Sequence, residues 1–213
     1  MARKRRTSSL NLPNTITVFR LLLTIPFVWF FTMEGMISSW IALAVFCLAA
    51  ATDWLDGYLS RKLNQRTAFG IFMDPLADKF LVLSALCIFL WKNIVSVWIV
   101  IIIVAREFTI TSMRLLAEKQ GVSLGAMPSG KQKMVSQIIA IIGILTILCA
   151  RYTISSVTGQ PWDTVLDRMG TRMARLADLM DLLPNLLLFI AMVFSVVSGV
   201  VFIRKHRRLF IKL

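Results

Sequence analysis

Long stretches of apolar residues constrain the fold of this chain more than any other feature of its sequence. A helix needs about 20 predominantly apolar residues to cross the hydrocarbon core of a bilayer. Six stretches approach that length and predict helices at 15–33, 36–61, 75–91, 94–118, 133–150 and 184–203. Because lipid offers backbone polar groups no water to bind, the expected fold class is all-α, a polytopic membrane bundle of six transmembrane helices.

The overall composition supports a membrane protein and excludes several other classes. Hydrophobic residues make up 57% of the 213 residues and charged residues 16%, whereas about 25% of a typical soluble domain is charged. This balance excludes a disordered chain, a collagen-like fibre and a secreted disulfide scaffold. Cys47, Cys87 and Cys149 lie in apolar stretches without CxxC spacing, which is typical of packing residues. Since the chain has no evident repeat or linker, residues 1–213 are predicted to form a single domain.

The basic excess indicates how the chain is oriented in the membrane. A net charge of +13 would suggest nucleic acid in a soluble protein, but here it indicates topology and contact with anionic lipid, so no nucleic-acid partner is expected. Six spans bring both termini to one side. Only five of the 24 basic residues then fall on the other side: Lys92, Arg151, Arg168, Arg172 and Arg175. By the positive-inside rule, both termini face the cytoplasm.

Residues 151–183 are predicted to form a segment outside the membrane. Apolar residues recur in it at helical spacing, with aspartate and arginine between them: Val165, Leu166, Met169, Met173, Leu176, Met180 and Leu183. This pattern favours a helix that lies on the outer membrane surface. A partner-binding helix is the alternative.

Four aspartates lie near the cytoplasmic ends of the second and third predicted helices. At a rise of about 1.5 Å per residue, Asp53 lies about 25 Å from the outer end of its helix, and Asp78 about 20 Å from Trp91. Asp53 and Asp56 are spaced i,i+3 and Asp74 and Asp78 i,i+4, so each pair shares one helix face. Because ionisable groups at membrane depth are costly, they predict a functional polar cavity on the cytoplasmic side.

Four carboxylates in one cavity need a positive counter-charge. Oxygen ligands favour Mg²⁺ or Mn²⁺, and two such ions are predicted, held by Asp53, Asp56, Asp74 and Asp78. Paired metal ions held by carboxylates are typical of displacement at phosphorus. The lone histidine, His206, cannot complete a zinc site. The alternatives are intramembrane ion pairs with nearby basic residues, a transporter or channel that uses the acid cluster, and a non-catalytic membrane scaffold.

The acid motif resembles the signature of the CDP-alcohol phosphotransferase family. It reads Asp53-Trp-Leu-Asp56-Gly57-Tyr-Leu-Ser60-Arg61, eight further residues, then Gly70-Ile-Phe-Met-Asp74-Pro-Leu-Ala-Asp78. The signature fixes eight positions over these 26 residues, and the chain departs at Ser60, where the family usually has alanine. The flanking segments 11–20, 105–114 and 130–133 are similar to the bacterial phosphatidylglycerophosphate synthases within this family.

The resemblance implies that an alcohol displaces CMP from CDP-diacylglycerol at the cytoplasmic face of a bacterial inner membrane. Asp53, Asp56 and Asp74 would hold metal, and Asp78 would both lie at the metal and act as general base on the acceptor hydroxyl. The resemblance also implies that five residues bind the donor: Asn14, Thr17, Gly57, Arg61 and Thr67. Members of the family are often dimers, so a homodimer is a further expectation.

The resemblance implies that glycerol 3-phosphate is the acceptor, and its phosphate requires a basic pocket. Arg106 follows only 12 apolar residues, so it is expected below the cytoplasmic interface, with Arg114 two turns further along on roughly the same face. Lys131 and Lys133 come from the next cytoplasmic loop. These four are the predicted phosphate-binding residues, and the alternative is that they are basic side chains reaching toward water. Phosphatidylglycerol and an inositol phosphate stay open as other acceptors.

Overall fold

The computed structural model describes residues 12–63, 68–119, 128–162, 164 and 171–210. Six helices account for nearly all of these residues, and this part of the chain contains no strand. The helices are α1 (Leu12–Thr32), α2 (Met36–Leu63), α3 (Ala68–Trp91), α4 (Val97–Lys119), α5 (Pro128–Thr158) and α6 (Thr171–Phe210). The prediction of an all-α fold is confirmed.

The helix boundaries differ from the sequence prediction mainly around residues 151–183. The fifth apolar stretch ends at residue 150, but α5 continues to Thr158, and α6 begins at Thr171, well before the sixth stretch. Hydropathy marks where a helix becomes apolar, whereas backbone hydrogen bonding continues a helix through polar residues. The proline that starts the sixth stretch lies inside α6. Much of residues 151–183 therefore extends two long helices, and its place at a membrane surface stays a prediction.

Contacts divide the chain into two compact units. The first comprises Met1–Ile88 and Leu148–Gln160, and the second comprises Phe89–Ile147 and Pro161–Leu213. α1 and α2 therefore belong to the first unit and α4 and α6 to the second, while α3 and α5 contribute residues to both. The single-domain organisation of the whole chain stays a prediction.

In the first unit, α1 and α2 form a helical hairpin. The connection is short, and its Gly35 has a φ of 142°, a backbone conformation that a side chain disfavours. Phe27 of α1 packs against Phe46 of α2 with ring centroids 5.3 Å apart, and both rings are fully buried. Trp40 Nε1 donates a hydrogen bond to Thr153 Oγ1 at 3.1 Å. The beginning of α2 therefore lies beside the end of α5.

In the second unit, α4 and α6 pack together and run in the same direction. The backbone N–H of Ser96, just before α4, donates to Asn185 Oδ1 at 2.7 Å. Further along both helices, Arg106 Nη2 donates to Ser198 Oγ at 3.1 Å. The contact that comes first along α4 also comes first along α6. The two helices therefore run in the same direction.

α5 runs in the opposite direction to α4 and α6. Near the start of α5, Lys133 forms an ion pair with Glu107, at the same level of the bundle as Arg106 and its contact to α6. Later in α5, a Cβ atom added at Gly143 would lie 2.9 Å from Leu187 Cδ1, which is earlier in α6. Helices that alternate in direction in this way are those that a chain crossing a bilayer repeatedly would form.

α6 has an apolar outer surface and small polar residues on its buried side. Phe189, Phe194 and Val197 are about half exposed, whereas Ser195 and Ser198 are buried. In water this distribution would be unfavourable, but in lipid the apolar side chains face the acyl chains and small polar residues face neighbouring helices. The packing of α6 is therefore that of a membrane helix.

Two helical segments within the described residues are long and apolar enough to cross a membrane. They are Gln132–Thr158, with a mean hydropathy of 2.1, and Leu179–Arg207, with a mean hydropathy of 2.9. Three shorter apolar helical segments accompany them: Val18–Thr32, Met36–Thr52 and Lys79–Trp91. The full set of six transmembrane helices and the polar cavity stay predictions.

Candidate functional site

The four predicted metal ligands lie on two helices of the first unit. The backbones of Asp53 and Asp56 are helical within α2, and those of Asp74 and Asp78 within α3. Helical geometry therefore places each pair on one helix face. Their side chains lie outside the described residues, so their convergence on one cavity stays a prediction. Among the side chains that the structure does describe, no group of three histidines, cysteines or acids could hold a metal ion.

Four of the five predicted donor-binding residues are carried by the α1–α2 hairpin. Asn14 and Thr17 lie near the start of α1, and Gly57 and Arg61 lie in the second half of α2. Thr17 is 18 residues before Gly35 (35 − 17) and Asp53 is 18 residues after it (53 − 35), so a hairpin closed at this glycine brings their backbones to one level. The side chains of Asn14, Thr17 and Arg61, and Thr67 altogether, lie outside the described residues. Their contacts with a donor stay predictions.

A largely buried cluster of charged residues lies in the second unit. Glu107 of α4 is in contact with Arg106, with Oε1 3.1 Å from Arg106 Nη1, and also forms an ion pair with Lys133 of α5. The side chains of all three are only 12–14% exposed. The structure thus brings together Arg106 and Lys133, two of the four predicted acceptor-binding residues, through a carboxylate between them.

Arg106 is held from two sides. Its Nη1 donates to Glu107 Oε1 and its Nη2 to Ser198 Oγ, each at 3.1 Å. Its Nε is buried and has no hydrogen-bond partner among the described residues. A guanidinium group has five N–H donors, so these two contacts leave others available to a ligand. An arginine held in this way is suited to a phosphate, which it can bind through two parallel hydrogen bonds.

Arg114, the third predicted acceptor-binding residue, contacts α6 by a different interaction. Its guanidinium carbon lies 5.4 Å from the centre of the Phe202 ring, within the range of a cation–π contact. Its Nε is buried and has no hydrogen-bond partner in the described part of the chain. The prediction that Lys131 and Lys133 lie in a loop is wrong, because α5 begins at Pro128 and includes both. Lys131 lies in the first turn of α5, and its side chain is outside the described residues. The observed contacts therefore bring Arg106 and Lys133 together and place Arg114 against Phe202 of α6.

Three polar residues of the second unit were not predicted to be part of the site. Glu107 bridges Arg106 and Lys133, Ser198 accepts a hydrogen bond from Arg106, and Gln137 follows Lys133 by one helical turn. Gln137 is buried, and its Nε2 has no hydrogen-bond partner among the described residues. The sequence signal was an acid next to Arg106 and small or amide side chains inside apolar helices, where such residues are costly unless they have a partner.

The arrangement can bind a small anion. Arg106, Arg114 and Lys133 carry three positive charges, and Glu107 carries one negative charge, so these four residues leave a positive excess. The largely buried position of the three charged residues of the cluster strengthens their attraction for an anion, because water screens it less. A phosphate dianion has the charge and the oxygen acceptors that such a site requires.

Two comparisons relate the chain to known proteins. The family model described as CDP-alcohol phosphatidyltransferase matches residues 10–154. A protein of Bacillus subtilis (strain 168) is 41% identical over 147 residues, which is 63% of this chain and 76% of the relative. Proteins of Pseudomonas fluorescens and Escherichia coli (strain K12) are 37% and 36% identical, over 64% and 63% of this chain and 72% and 76% of their own lengths. All three are named CDP-diacylglycerol–glycerol-3-phosphate 3-phosphatidyltransferase.

The matched region contains the helices that carry the predicted site. Residues 10–154 include the acid motif, the predicted donor-binding residues and the basic residues of α4 and α5, whereas α6 lies beyond them. The match covers more than half of the chain, and the apolar helices agree with a membrane-associated family. The chain is therefore an integral membrane protein that belongs to the CDP-alcohol phosphatidyltransferase family.

Proposed function

We propose that this protein is a transferase that moves the phosphatidyl group of CDP-diacylglycerol to glycerol 3-phosphate, giving phosphatidylglycerophosphate and CMP. The shared name of the relatives supports this reaction. The observation that carries the acceptor assignment is the largely buried contact of Arg106 and Lys133 with Glu107. A small phosphorylated alcohol matches the positive excess of this cluster better than a neutral alcohol does.

The acid motif fits a pair of divalent cations. The four predicted metal ligands are all carboxylates, and each pair is placed one helical turn apart, on α2 and on α3. Such oxygen ligands suit Mg²⁺ or Mn²⁺. Asp53, Asp56, Asp74 and Asp78 would hold the ions. When bound, the ions would neutralise charge on the pyrophosphate of the donor and on the departing CMP.

Asp78 would serve as general base. Its carboxylate would take the proton of the acceptor hydroxyl as that oxygen forms a bond to the phosphorus of the phosphatidyl group. The bond from this phosphorus to the CMP oxygen would break, and CMP would leave with the electron pair. A carboxylate can act in this way if its surroundings set its pKa suitably, and proximity to the reacting hydroxyl supplies the rest of the effect.

The donor would bind along the α1–α2 hairpin. Asn14 and Thr17 of α1, together with Thr67, would donate hydrogen bonds to CDP-diacylglycerol, and Arg61 of α2 would contact the pyrophosphate. Gly57 would let the nucleotide approach the backbone of α2, because it has no side chain. The similar level of Thr17 and Asp53 in the hairpin supports a donor that spans the two helices.

The acceptor phosphate would bind to Arg106 and Lys133, with Arg114 and Lys131 completing the basic lining. In the absence of acceptor, Glu107 keeps Arg106 and Lys133 together at a site where two cations alone would repel each other. The phosphate would then fix the position of the glycerol, and with it the position of the hydroxyl that reacts.

A topology of six membrane spans is part of this proposal. The alternating directions of α4, α5 and α6 support it, as does the small share of basic residues on one side of the predicted topology. The active site and both termini would face the cytoplasm of a bacterial inner membrane. An external position for residues 151–183 and a homodimer stay predictions.

We expect metal removal to abolish turnover. Excess EDTA should lower CMP release by purified protein to background, because the donor pyrophosphate and four carboxylates repel one another without cations. Adding Mg²⁺ or Mn²⁺ beyond the chelator should restore release. A melting curve recorded with EDTA serves as the control for folding. Release that continues at the full rate in EDTA would contradict the metal assignment.

A panel of acceptors tests the proposed reaction. Purified protein in detergent is given CDP-diacylglycerol and Mg²⁺ with glycerol 3-phosphate, phosphatidylglycerol, an inositol phosphate or no acceptor, and CMP is quantified. We expect release only with glycerol 3-phosphate. Release only with another acceptor would keep the chemistry and overturn the acceptor, whereas no release from folded protein with any alcohol would favour the transporter or scaffold alternatives.

A further inference from the structure

We infer that the last helix, α6, positions the two arginines of the acceptor site: Ser198 and Gly199 hold Arg106, and Phe202 holds Arg114. This inference rests on the proposed function, since it concerns the binding of the acceptor phosphate. Ser198, Gly199 and Phe202 would be positioning residues, which act on the acceptor through the arginines. α6 lies outside residues 10–154, so the family match by itself assigns no role to these residues.

The contact between Ser198 and Arg106 fixes the orientation of the guanidinium group. Ser198 is only 4% exposed, and its hydroxyl accepts a hydrogen bond from Arg106 Nη2 at 3.1 Å. Glu107 accepts from the other terminal nitrogen, Nη1, also at 3.1 Å. Because the guanidinium group is planar, two hydrogen bonds to different terminal nitrogens define its plane. A phosphate that arrives at the site then meets donors whose geometry is already set.

Gly199 provides the space in which the stem of Arg106 lies. A Cβ atom added at Gly199 would lie 3.1 Å from Arg106 Nε and 3.3 Å from Arg106 Cγ. Both distances are shorter than ordinary van der Waals contact, so a Cβ atom at this position requires the arginine side chain to shift by a few tenths of an ångström. The glycine therefore allows α6 to approach the arginine closely, and Ser198 beside it supplies the hydrogen bond.

One turn further along α6, Phe202 provides a platform for Arg114. Its ring is 3% exposed and lies 5.4 Å from the guanidinium carbon of Arg114. The His206 ring packs against the Phe202 ring with centroids 4.7 Å apart, which limits the freedom of that ring. Ser198 and Phe202 thus lie on two successive turns of α6, on the side of the helix that contacts Arg106 and Arg114 of α4.

Holding an arginine in place improves binding because a free side chain must lose its rotamer freedom when the ligand arrives. Loss of the contacts between α6 and these arginines should therefore weaken binding of the acceptor and leave binding of CDP-diacylglycerol nearly unchanged. A merely structural defect in α6 would instead lower the amount of active enzyme, and with it the apparent kcat, without a selective effect on one substrate.

The test measures the KM for glycerol 3-phosphate and the KM for CDP-diacylglycerol in Ser198→Ala, Ser198→Thr and Gly199→Ala. We expect Ser198→Ala and Gly199→Ala to raise the acceptor KM by about 3- to 10-fold, the size expected for loss of one hydrogen bond. The donor KM should change by less than about twofold. Ser198→Thr keeps the hydroxyl and should stay near the wild-type acceptor KM.

Gly143→Ala is the matched control for Gly199→Ala. The added Cβ atom would lie 2.9 Å from Leu187 Cδ1, so this variant also crowds the packing of α6 but does not touch an arginine. We expect it to leave the acceptor KM unchanged. A double variant, Arg106→Ala with Ser198→Ala, provides a second test: if Ser198 acts through Arg106, it should have the acceptor KM of Arg106→Ala alone.

The outcomes separate this inference from the proposed function. If the wild-type protein does not use glycerol 3-phosphate, or if Arg106→Ala leaves the acceptor KM unchanged, the proposed acceptor site is wrong and the inference falls with it. If Arg106→Ala raises the acceptor KM but Ser198→Ala does not, the inference alone is overturned. Independent, multiplying effects of Arg106→Ala and Ser198→Ala would also overturn it. A selective rise that disappears in the Arg106→Ala background supports it.

Discussion

Replacement of Asp78 by asparagine is expected to lower kcat by at least about 100-fold and as much as about 10,000-fold. This is the range in which a general base contributes to catalysis, and asparagine cannot accept the proton of the acceptor hydroxyl. The amide is close to the carboxylate in size, so the fold should be kept. The measurement is CMP release at saturating CDP-diacylglycerol, glycerol 3-phosphate and Mg²⁺.

Asp181→Asn is the matched control for this variant. Asp181 is an exposed aspartate on α6, outside the acid motif, and its replacement should leave kcat within about twofold of wild type. Gel filtration and a melting curve in detergent establish that both variants are folded. A folded Asp78→Asn protein with nearly wild-type kcat would show that Asp78 is neither the general base nor an essential metal ligand.

Replacement of Arg106 by alanine is expected to raise the KM for glycerol 3-phosphate by about 10- to 150-fold. A hydrogen bond to a charged group contributes about 1.5–3 kcal/mol, and about 1.4 kcal/mol corresponds to a tenfold change in affinity. Removal of the arginine also removes the hydrogen bond that Ser198 Oγ accepts from Arg106 Nη2. The KM for CDP-diacylglycerol should change by less than about threefold, because the proposed donor site lies on α1 and α2.

Two further variants help to interpret the effect of Arg106→Ala on the two KM values. Arg106→Lys keeps the charge but not the planar pair of donors, so it should recover only part of the acceptor affinity. Arg204→Ala removes an exposed arginine of α6 and should change neither KM. If Arg106→Ala raised both KM values equally, Arg106 would not be specific to the acceptor, and the assignment of the cluster would be wrong.

The fold class followed from the apolar stretches, but the lengths of α5 and α6 did not. Apolar residues identify the part of a helix that a membrane can hold, and α6 extends beyond that part at both ends, from Thr171 to Phe210. The residues at both ends are more polar, and their helical state depends on continuation of the backbone hydrogen bonds rather than on hydropathy. A pattern based on hydropathy alone therefore predicts α5 and α6 too short.

Charge was the sequence signal that marked residues of the candidate acceptor site. Arg106 was predicted from its unusual depth in an apolar stretch, and Lys133 from a place in a cytoplasmic loop. The structure brings the two side chains together but places Lys133 within α5. Ser198 and Gly199 gave no comparable signal, because serine and glycine are common where membrane helices pack closely. Their role depends on which helix lies opposite α4, which is a property of tertiary packing.

Following both products of one reaction tests whether the protein transfers the phosphatidyl group to glycerol 3-phosphate. Purified protein is incubated with CDP-diacylglycerol, Mg²⁺ and isotopically labelled glycerol 3-phosphate, and the label in the lipid extract is compared with the CMP released. We expect that one labelled lipid forms, phosphatidylglycerophosphate, in equal amount to CMP, and that neither forms without acceptor or metal. Release of CMP without label in any lipid would contradict the proposed function, because it would show cleavage of the donor without transfer to glycerol 3-phosphate.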